Sequence, residues 1–249
     1  MNLLLFEESF EEIELGGYDP KAKHLLDVVK VKAGSLVFVG FFNSLRARAK
    51  VTKVGSDGSI SLQLIDSEPS PKLLPVSLLV GLPRPHTAKR ILFDAASMGV
   101  KRIHFFETEK GEPSYAQSSL WSSDEWKRRV QLGVEQSFAT RMPDVAIYPD
   151  LQTALSAFDQ ESLRVVLDNY EASGPLYKFL AMESLSVVLA VGSERGWSDQ
   201  ERLVFRQNGW HFAHLGEHVL RAETAVVAGV SAVASGLGFW KKQTQTNLS

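Results

Sequence analysis

The stretch LRAETA, residues 220–225, sets an arginine, a glutamate and a threonine just ahead of a long apolar run. Arg221 offers a permanent positive charge with a fork of donors, and Glu223 offers a proton acceptor. A second stretch, VGSERGWS at 191–198, closes another apolar run and carries Gly192 and Gly196, while Gly216 stands just before the first stretch. Glycines let backbone amides and carbonyls approach a flat ligand closely. Two such loops predict one pocket built by two crossings of the chain. The same Arg221 and Glu223, near a helix start, also suit a mutual or capping ion pair.

Other chemistries fit the residues less well. VGSERG is G-x-x-x-G rather than G-x-G-x-x-G, and the acid that ends a strand, Asp168, precedes it instead of following. There is no P-loop. HFAHLGEH holds His211, His214 and His218, but 211 and 214 have opposite strand parity, so a common metal site is not expected. GVSAV lacks the second glycine of a nucleophile elbow and follows no strand.

The elements that must position these residues fall into two patterns. Before the stretch DSEPSPKLLP, 66–75, which reads as a linker, the chain is strand-like. LRARAKVT alternates, so Leu45, Ala47, Ala49 and Val51 share one face while Arg46, Arg48 and Lys50 share the other. YDPKAKHLLDVVKV reads as a short helix, capped by Asp19 with Pro20 in its first turn. Residues 1–71 are therefore expected to form a small barrel-like β domain. From 72 to 249, strands and helices alternate, which predicts an α/β domain with a mostly parallel sheet. Its expected helices include one ending at Gly99, one running from 122 to before Pro143, and one opened by the capping pair Ser198 and Glu201. The final helix, AETAVVAGVSAVAS, shows no polar face, which places it inside its own domain or against another subunit.

Composition narrows the classes. The 249 residues are 44% hydrophobic and 22% charged, as in a globular chain. A net charge of −2 means that any nucleic-acid site is a local patch. Without cysteine there is no disulfide, thiolate catalysis or cysteine-bound zinc. No apolar run nears the ~20 residues of a membrane span. The start, MNLLLFEESFEE, has acids where a signal peptide needs bases, so a cytoplasmic location is expected.

The two loops also carry a likeness. VGSERGWSDQE followed by GWHFAHLGEHVLRAETA resembles the C-terminal signature of the RsmE-like family, uridine-N3 methyltransferases of small-subunit ribosomal RNA within the SPOUT superfamily. LPRPHTAKRILFDAASMGVKRI, KGEPSYAQSSL, GVEQSFATRMP and HLLDVVKVKAGS add to it, so it covers nearly the whole chain. The chain departs from the family pattern at Ser193 for a proline, Arg195 for a glycine, His218 for an arginine and Ser97 for an acid.

The resemblance implies a trefoil-knotted C-terminal domain behind a PUA-like barrel. It implies S-adenosylmethionine held between the loops by Leu167, Val191, Gly192, Glu194, Gly196, Leu215, Gly216, Val219, Leu220 and Thr224. Arg221 would hold the anionic edge of uracil, and Glu223 would take the N3 proton or orient Arg221. RNA contacts are expected at Arg46, Arg48 and Lys50, and at Arg84, Lys89 and Arg141. Expected partners are 16S rRNA or the small ribosomal subunit, and a second copy docked through the knot and the helix from Ala222 to Ser235. The alternatives are an RNA-binding protein of this fold with weak or lost catalysis, or methylation of a different RNA.

Overall fold

The computed structural model describes residues 3–158, 161–181 and 186–240. The residues up to Pro69 build one curled sheet. Its strands are β1 (Leu4–Phe6), β2 (Glu12–Leu15), β3 (Leu36–Phe41), β4 (Leu45–Val54) and β5 (Ile60–Pro69), in the order β1-β3-β4-β5-β2. β1 runs parallel to β3, and the other pairs are antiparallel. The helix α1 (Pro20–Lys23) is capped by Asp19, whose carboxylate accepts from the Lys21 amide at 2.6 Å. It continues as a wider turn, His24–Val29, that ends on left-handed Lys30. The alternation in β4 holds where it matters: Ala47, Ala49 and Val51 are buried with Val37, Val39, Ile60 and Leu62, while Arg48 and Lys50 face water.

β1 stitches this sheet to the second body. Leu4 and Phe6 enter the core of the curled sheet, whereas Leu3 and Leu5 point into the core of the other sheet. That is the two-residue period of a strand with apolar surroundings on both sides.

The second body is a sheet of six strands: β6 (Leu74–Gly81), β7 (Val100–Phe106), β8 (Asp144–Tyr148), β9 (Leu163–Leu167), β10 (Val187–Val191) and β11 (His211–Ala213). Their order is β11-β9-β10-β6-β7-β8, and every pair is parallel. One face packs against α2 (Pro85–Ser97), α3 (Ser119–Ser122), α4 (Glu125–Gln136) and α7 (Ala222–Gly236). The other face is covered by α5 (Leu151–Leu155) and α6 (Asp199–Gln207), around Trp197, Phe205 and Trp210. Near-continuous apolar strands such as VVLAV in β10, buried on both faces, are what a doubly covered parallel sheet requires. Among the described residues, no helix is long and apolar enough to cross a membrane.

Two boundaries differ from the sequence reading. Residues 66–69 are not linker: Asp66, Ser67, Glu68 and Pro69 pair with Arg48 back to Leu45, leaving only 70–73 between the sheets. The helix before Pro143 is shorter than expected and stops at Gln136. Residues 138–142 turn instead onto the curled sheet, starting from Phe138 with φ +55°. Tertiary hydrogen bonds replace helical ones there: Thr140 N–H donates to Ser70 Oγ, Asn43 N–H to the Thr140 carbonyl and Met142 N–H to Asn43 Oδ1.

Helix α7 is apolar but not enclosed. Val226, Gly229, Val230, Val233 and Ala234 are buried within the chain, while Thr224, Val227 and Ser235 face outward. Gly229 packs closely here, since a Cβ would stand 2.6 Å from Leu189 Cδ2 on β10 and the leucine would have to shift.

Candidate cofactor and substrate pocket

The loops that follow β10 and β11 meet over the C-terminal end of β9 and enclose a cavity of about 720 Å3. A crevice beyond the carboxyl ends of parallel strands is where open α/β sheets bind ligands. Leu167 and Val191 form its floor as the last residues of β9 and β10. Gly192, Glu194 and Gly196 line it from the first loop, and Leu215, Val219 and Leu220 from the second. Gly196 has φ +63° and Gly216 φ +126°, so both sharp turns sit where a side chain would strain the backbone.

Three residues named from sequence lie differently from expectation. Gly216 and Thr224 do not line the cavity. Val219 reaches its rim but is 84% exposed, so it contributes little apolar wall.

The loop 192–197 is held at Trp197 and at Glu194. Trp197 is buried, and its indole N–H donates to the Leu167 carbonyl at 2.9 Å. Lys110 Nζ donates to the Trp197 carbonyl at 2.7 Å. Glu194 turns toward α2: Oε1 accepts from Thr87 Oγ1 at 2.8 Å and from the Arg84 amide at 3.3 Å. It thereby serves the first turn of α2, where Arg84 supplies no side-chain cap of its own. Arg195 does not enter the pocket centre. Its guanidinium is held by Glu112 Oε1 at 2.7 Å and by the Lys110 carbonyl at 3.0 Å. The capping box expected of Ser198 and Glu201 is present at the start of α6.

Beside Leu167, Asp168 is buried and accepts from Arg202 Nε at 2.6 Å and from the Tyr170 amide at 2.7 Å. Burial works against the charge on Arg202. The hydrogen bond and charge of Asp168, with Glu171 and Asp199 nearby, outweigh it and hold that guanidinium above its usual pKa. This pair anchors the segment carrying Tyr170, which stands 87% exposed with the Arg202 guanidinium 5.5 Å from its ring centre.

At the mouth, Arg221 occupies the N-cap position of α7, is exposed, and makes no ion pair among the described residues. Glu223 is not its partner. Glu223 Oε1 lies 3.2 Å from Nη1 of Arg90 on α2. Burial raises the pKa of Asp94, one turn further along α2, with Arg90 opposing and Glu223 adding to the rise. The sequence points to Arg84 and Lys89 in this segment as RNA contacts but not to Arg90 as a pocket residue. Its pairing is set by the packing of α7 on α2, which no local spacing encodes.

The expected RNA cations are scattered and mostly paired. Arg48 pairs with Asp66, and Arg46 Nε lies 2.8 Å from Glu68 Oε1. Lys89 binds Glu125 at 2.7 Å, and Arg84 lies 3.8 Å from Glu194 at the cavity edge. Lys50 is exposed without an ion pair among the described residues, whereas Arg141 is half-buried with its Nε unpartnered there. The basic stripe on β4 is therefore not an open positive field, because β5 sets Glu68 and Asp66 directly opposite Arg46 and Arg48.

A family model described as an RNA methyltransferase domain matches residues 69–234. The ribosomal RNA small subunit methyltransferase E of Treponema pallidum is 30% identical over 98% of this chain and 94% of its own. The chain belongs to the RsmE-like family of RNA methyltransferases. A second RsmE-like relative, ribosomal RNA small subunit methyltransferase E 1 of Borreliella burgdorferi, is 28% identical over 95% of this chain and 99% of its own. The fold matches the crystal structure of the Neisseria gonorrhoeae methyltransferase E, solved with S-adenosyl methionine. The TM-score is 0.79 at 20% identity, over 94% of this chain and 97% of that one. Against the RsmE-like pattern, Ser193 and Arg195 in the first loop and His218 in the second all line the cavity, and Ser97 donates to the Asp94 carbonyl at 2.7 Å.

Proposed function

We propose that this protein transfers a methyl group from S-adenosylmethionine to N3 of a uridine in 16S rRNA. The observation that carries the reading is the meeting of both glycine loops, Arg221 and Glu223 around one cavity. Its volume of about 720 Å3 falls within the ~300–1,000 Å3 of sites for molecules of cofactor size. Ser193 contributes a buried hydroxyl to the lining that has no hydrogen-bond partner among the described residues, as a polar ligand site would.

In this reading Leu167, Val191, Leu215 and Leu220 hold the flat part of the cofactor, and the backbone of 192–196 holds its polar edge. When bound, the cofactor supplies a sulfonium methyl, an electrophile that needs a nucleophile aligned with it. Uracil N3 becomes one only when its proton leaves. Arg221, in no ion pair among the described residues, faces the anionic edge that then forms. Glu223 uses only one oxygen for Arg90 and accepts the proton through the other. Holding the base in line is worth roughly 7–11 kcal/mol, and a positioned base adds on the order of 10²–10⁴-fold.

The finer architecture belongs to the same proposal: a PUA-like barrel at 1–71, a trefoil-knotted domain from 72, and action in the cytoplasm on the small subunit or its RNA. A homodimer through the knot and the outward face of α7 completes it. Val227 on that face is 36% exposed, in a helix with no charged residue after Glu223.

The test is calorimetric titration with S-adenosylmethionine, together with mass mapping of 16S rRNA from a deletion strain before and after treatment with the protein. Cofactor binding and the gain of one methyl on a uridine are expected. Absence of binding at millimolar cofactor would return the chain to an RNA-binding role without catalysis, and a methyl on another RNA would move the substrate.

A further inference from the structure

We propose that a cleft between the curled sheet and the turn after α4 binds an unpaired guanine base of the RNA. The inference rests on the RNA-substrate reading above and assigns part of its recognition to a cavity that shares no residue with the one holding Arg221. The cleft measures about 520 Å3 and is lined chiefly by Phe38, Arg46, Arg48, Asp66, Glu68 and Phe138.

Two aromatic rings form its apolar part. Phe38 points outward from β3, 41% exposed, directly across the strand pair from Arg48. It meets the ring of Phe138 edge-on at 5.1 Å and 84°. Phe138 is held with φ +55°, a region bulky residues rarely occupy. Arg46 Nη1 donates to the Phe138 carbonyl at 3.2 Å and pins that turn against the sheet. A strained backbone persists where its surroundings over-determine it, and such points gather at ligand sites.

Charge decides the occupant. Arg48 is paired with Asp66 and Arg46 with Glu68, so the cleft offers matched donors and acceptors rather than a net positive field. A phosphodiester placed here would lie against two carboxylates. An unpaired base brings a π face for the rings, which is how single-stranded RNA is commonly held. Guanine suits the polar part best, because its O6 and N7 accept from a guanidinium while its N1–H and N2–H2 donate to a carboxylate. Uracil lacks the paired donors. Lys50, next along the same face, is left for a flanking phosphate.

The experiment measures binding of the full chain, without cofactor, to two short single-stranded RNAs: all uridine, and the same with one central guanosine. The wild type should prefer the guanosine strand. Phe38→Ala should weaken that strand about tenfold, as expected for loss of one stacking ring, and leave the all-uridine strand nearly unchanged. Phe38→Trp should restore it, and Asp66→Asn should lower the guanosine preference. Melting temperature and S-adenosylmethionine titration should be those of the wild type in Phe38→Ala. Equal affinities of wild type and Phe38→Ala for the guanosine strand, or no preference between strands, would overturn the proposal. Because no methyl transfer is read, failure of the methyltransferase reading shows separately in the 16S rRNA assay.

Discussion

Glu223 is bound to Arg90 across the helix pair α2 and α7, with 3.2 Å between Oε1 and Nη1, and not to Arg221 two residues before it. Arg221 is therefore not spent on its neighbour. Among the described residues, Arg90 at the pocket mouth is held in an ion pair and Arg221 is in none.

This arrangement separates three variants. Arg221→Ala should lower single-turnover methylation about 10²–10³-fold, the usual cost of one preorganised charge donor, with little change in cofactor affinity or melting. Arg90→Ala should also lower stability, since it leaves Glu223, with 15% of its side chain exposed, without its partner. Glu223→Gln should slow methylation while keeping the helices packed. Near-normal turnover in folded Arg221→Ala would remove that residue from the mechanism.

Glu194 is expected to matter through α2 rather than through direct cofactor contact. Glu194→Ala frees the Thr87 hydroxyl and the Arg84 amide at the first turn. A loss of about 1 kcal/mol is expected, as for other helix-cap removals. Cofactor affinity should fall with it because the same residue fixes the 192–197 loop. Thr87→Val combined with Glu194→Ala should cost less than the two separate losses added, since they share one contact. Full additivity in chemical denaturation would show that they act independently.

His104 gives the fold a pH dependence. It is 2% exposed with Nε2 2.9 Å from Asp144 Oδ2. Burial pushes its pKa below the usual histidine value, and Asp144 only partly opposes this. The unfolded chain then binds a proton near pH ~6.5 that the folded chain resists. More protons on the unfolded state mean stability falls as pH drops through that value toward the folded pKa, and is retained above it. Melting curves from pH 8 to 5 should therefore slope less in His104→Gln than in the wild type. Parallel slopes would assign the dependence to other groups.

The outward face of α7 predicts an assembly. Val227→Glu puts a charge on that face without touching the buried side at Val226 or Val230. Light scattering at micromolar concentration should show a dimer in the wild type and a monomer in the variant. A monomeric wild type would leave α7 a helix of a single chain.

The sequence by itself determined the alternation of strands and helices after residue 72, the inward face Ala47, Ala49 and Val51, and the capping of α1 and α6. Each follows from periodicity or from a side chain acting within a few residues of itself, where the physics is local. The two loops were legible for the same reason, since their glycines and the apolar runs before them are contiguous. Tertiary structure alone decided the rest. Arg90 reaches Glu223 across 133 positions of sequence. Glu194 serves a helix that begins more than a hundred residues earlier. Arg46 and Arg48 read as an open basic stripe until β5 sets Glu68 and Asp66 opposite them. α4 stops at Gln136, although the run continues without a breaker, because Thr140 and Met142 find hydrogen bonds at Ser70 and Asn43. A pattern read along the chain reports which face is apolar. It does not report which charges the fold will bring within a few ångströms, because that depends on the register of strands and the packing of helices that are far apart in sequence.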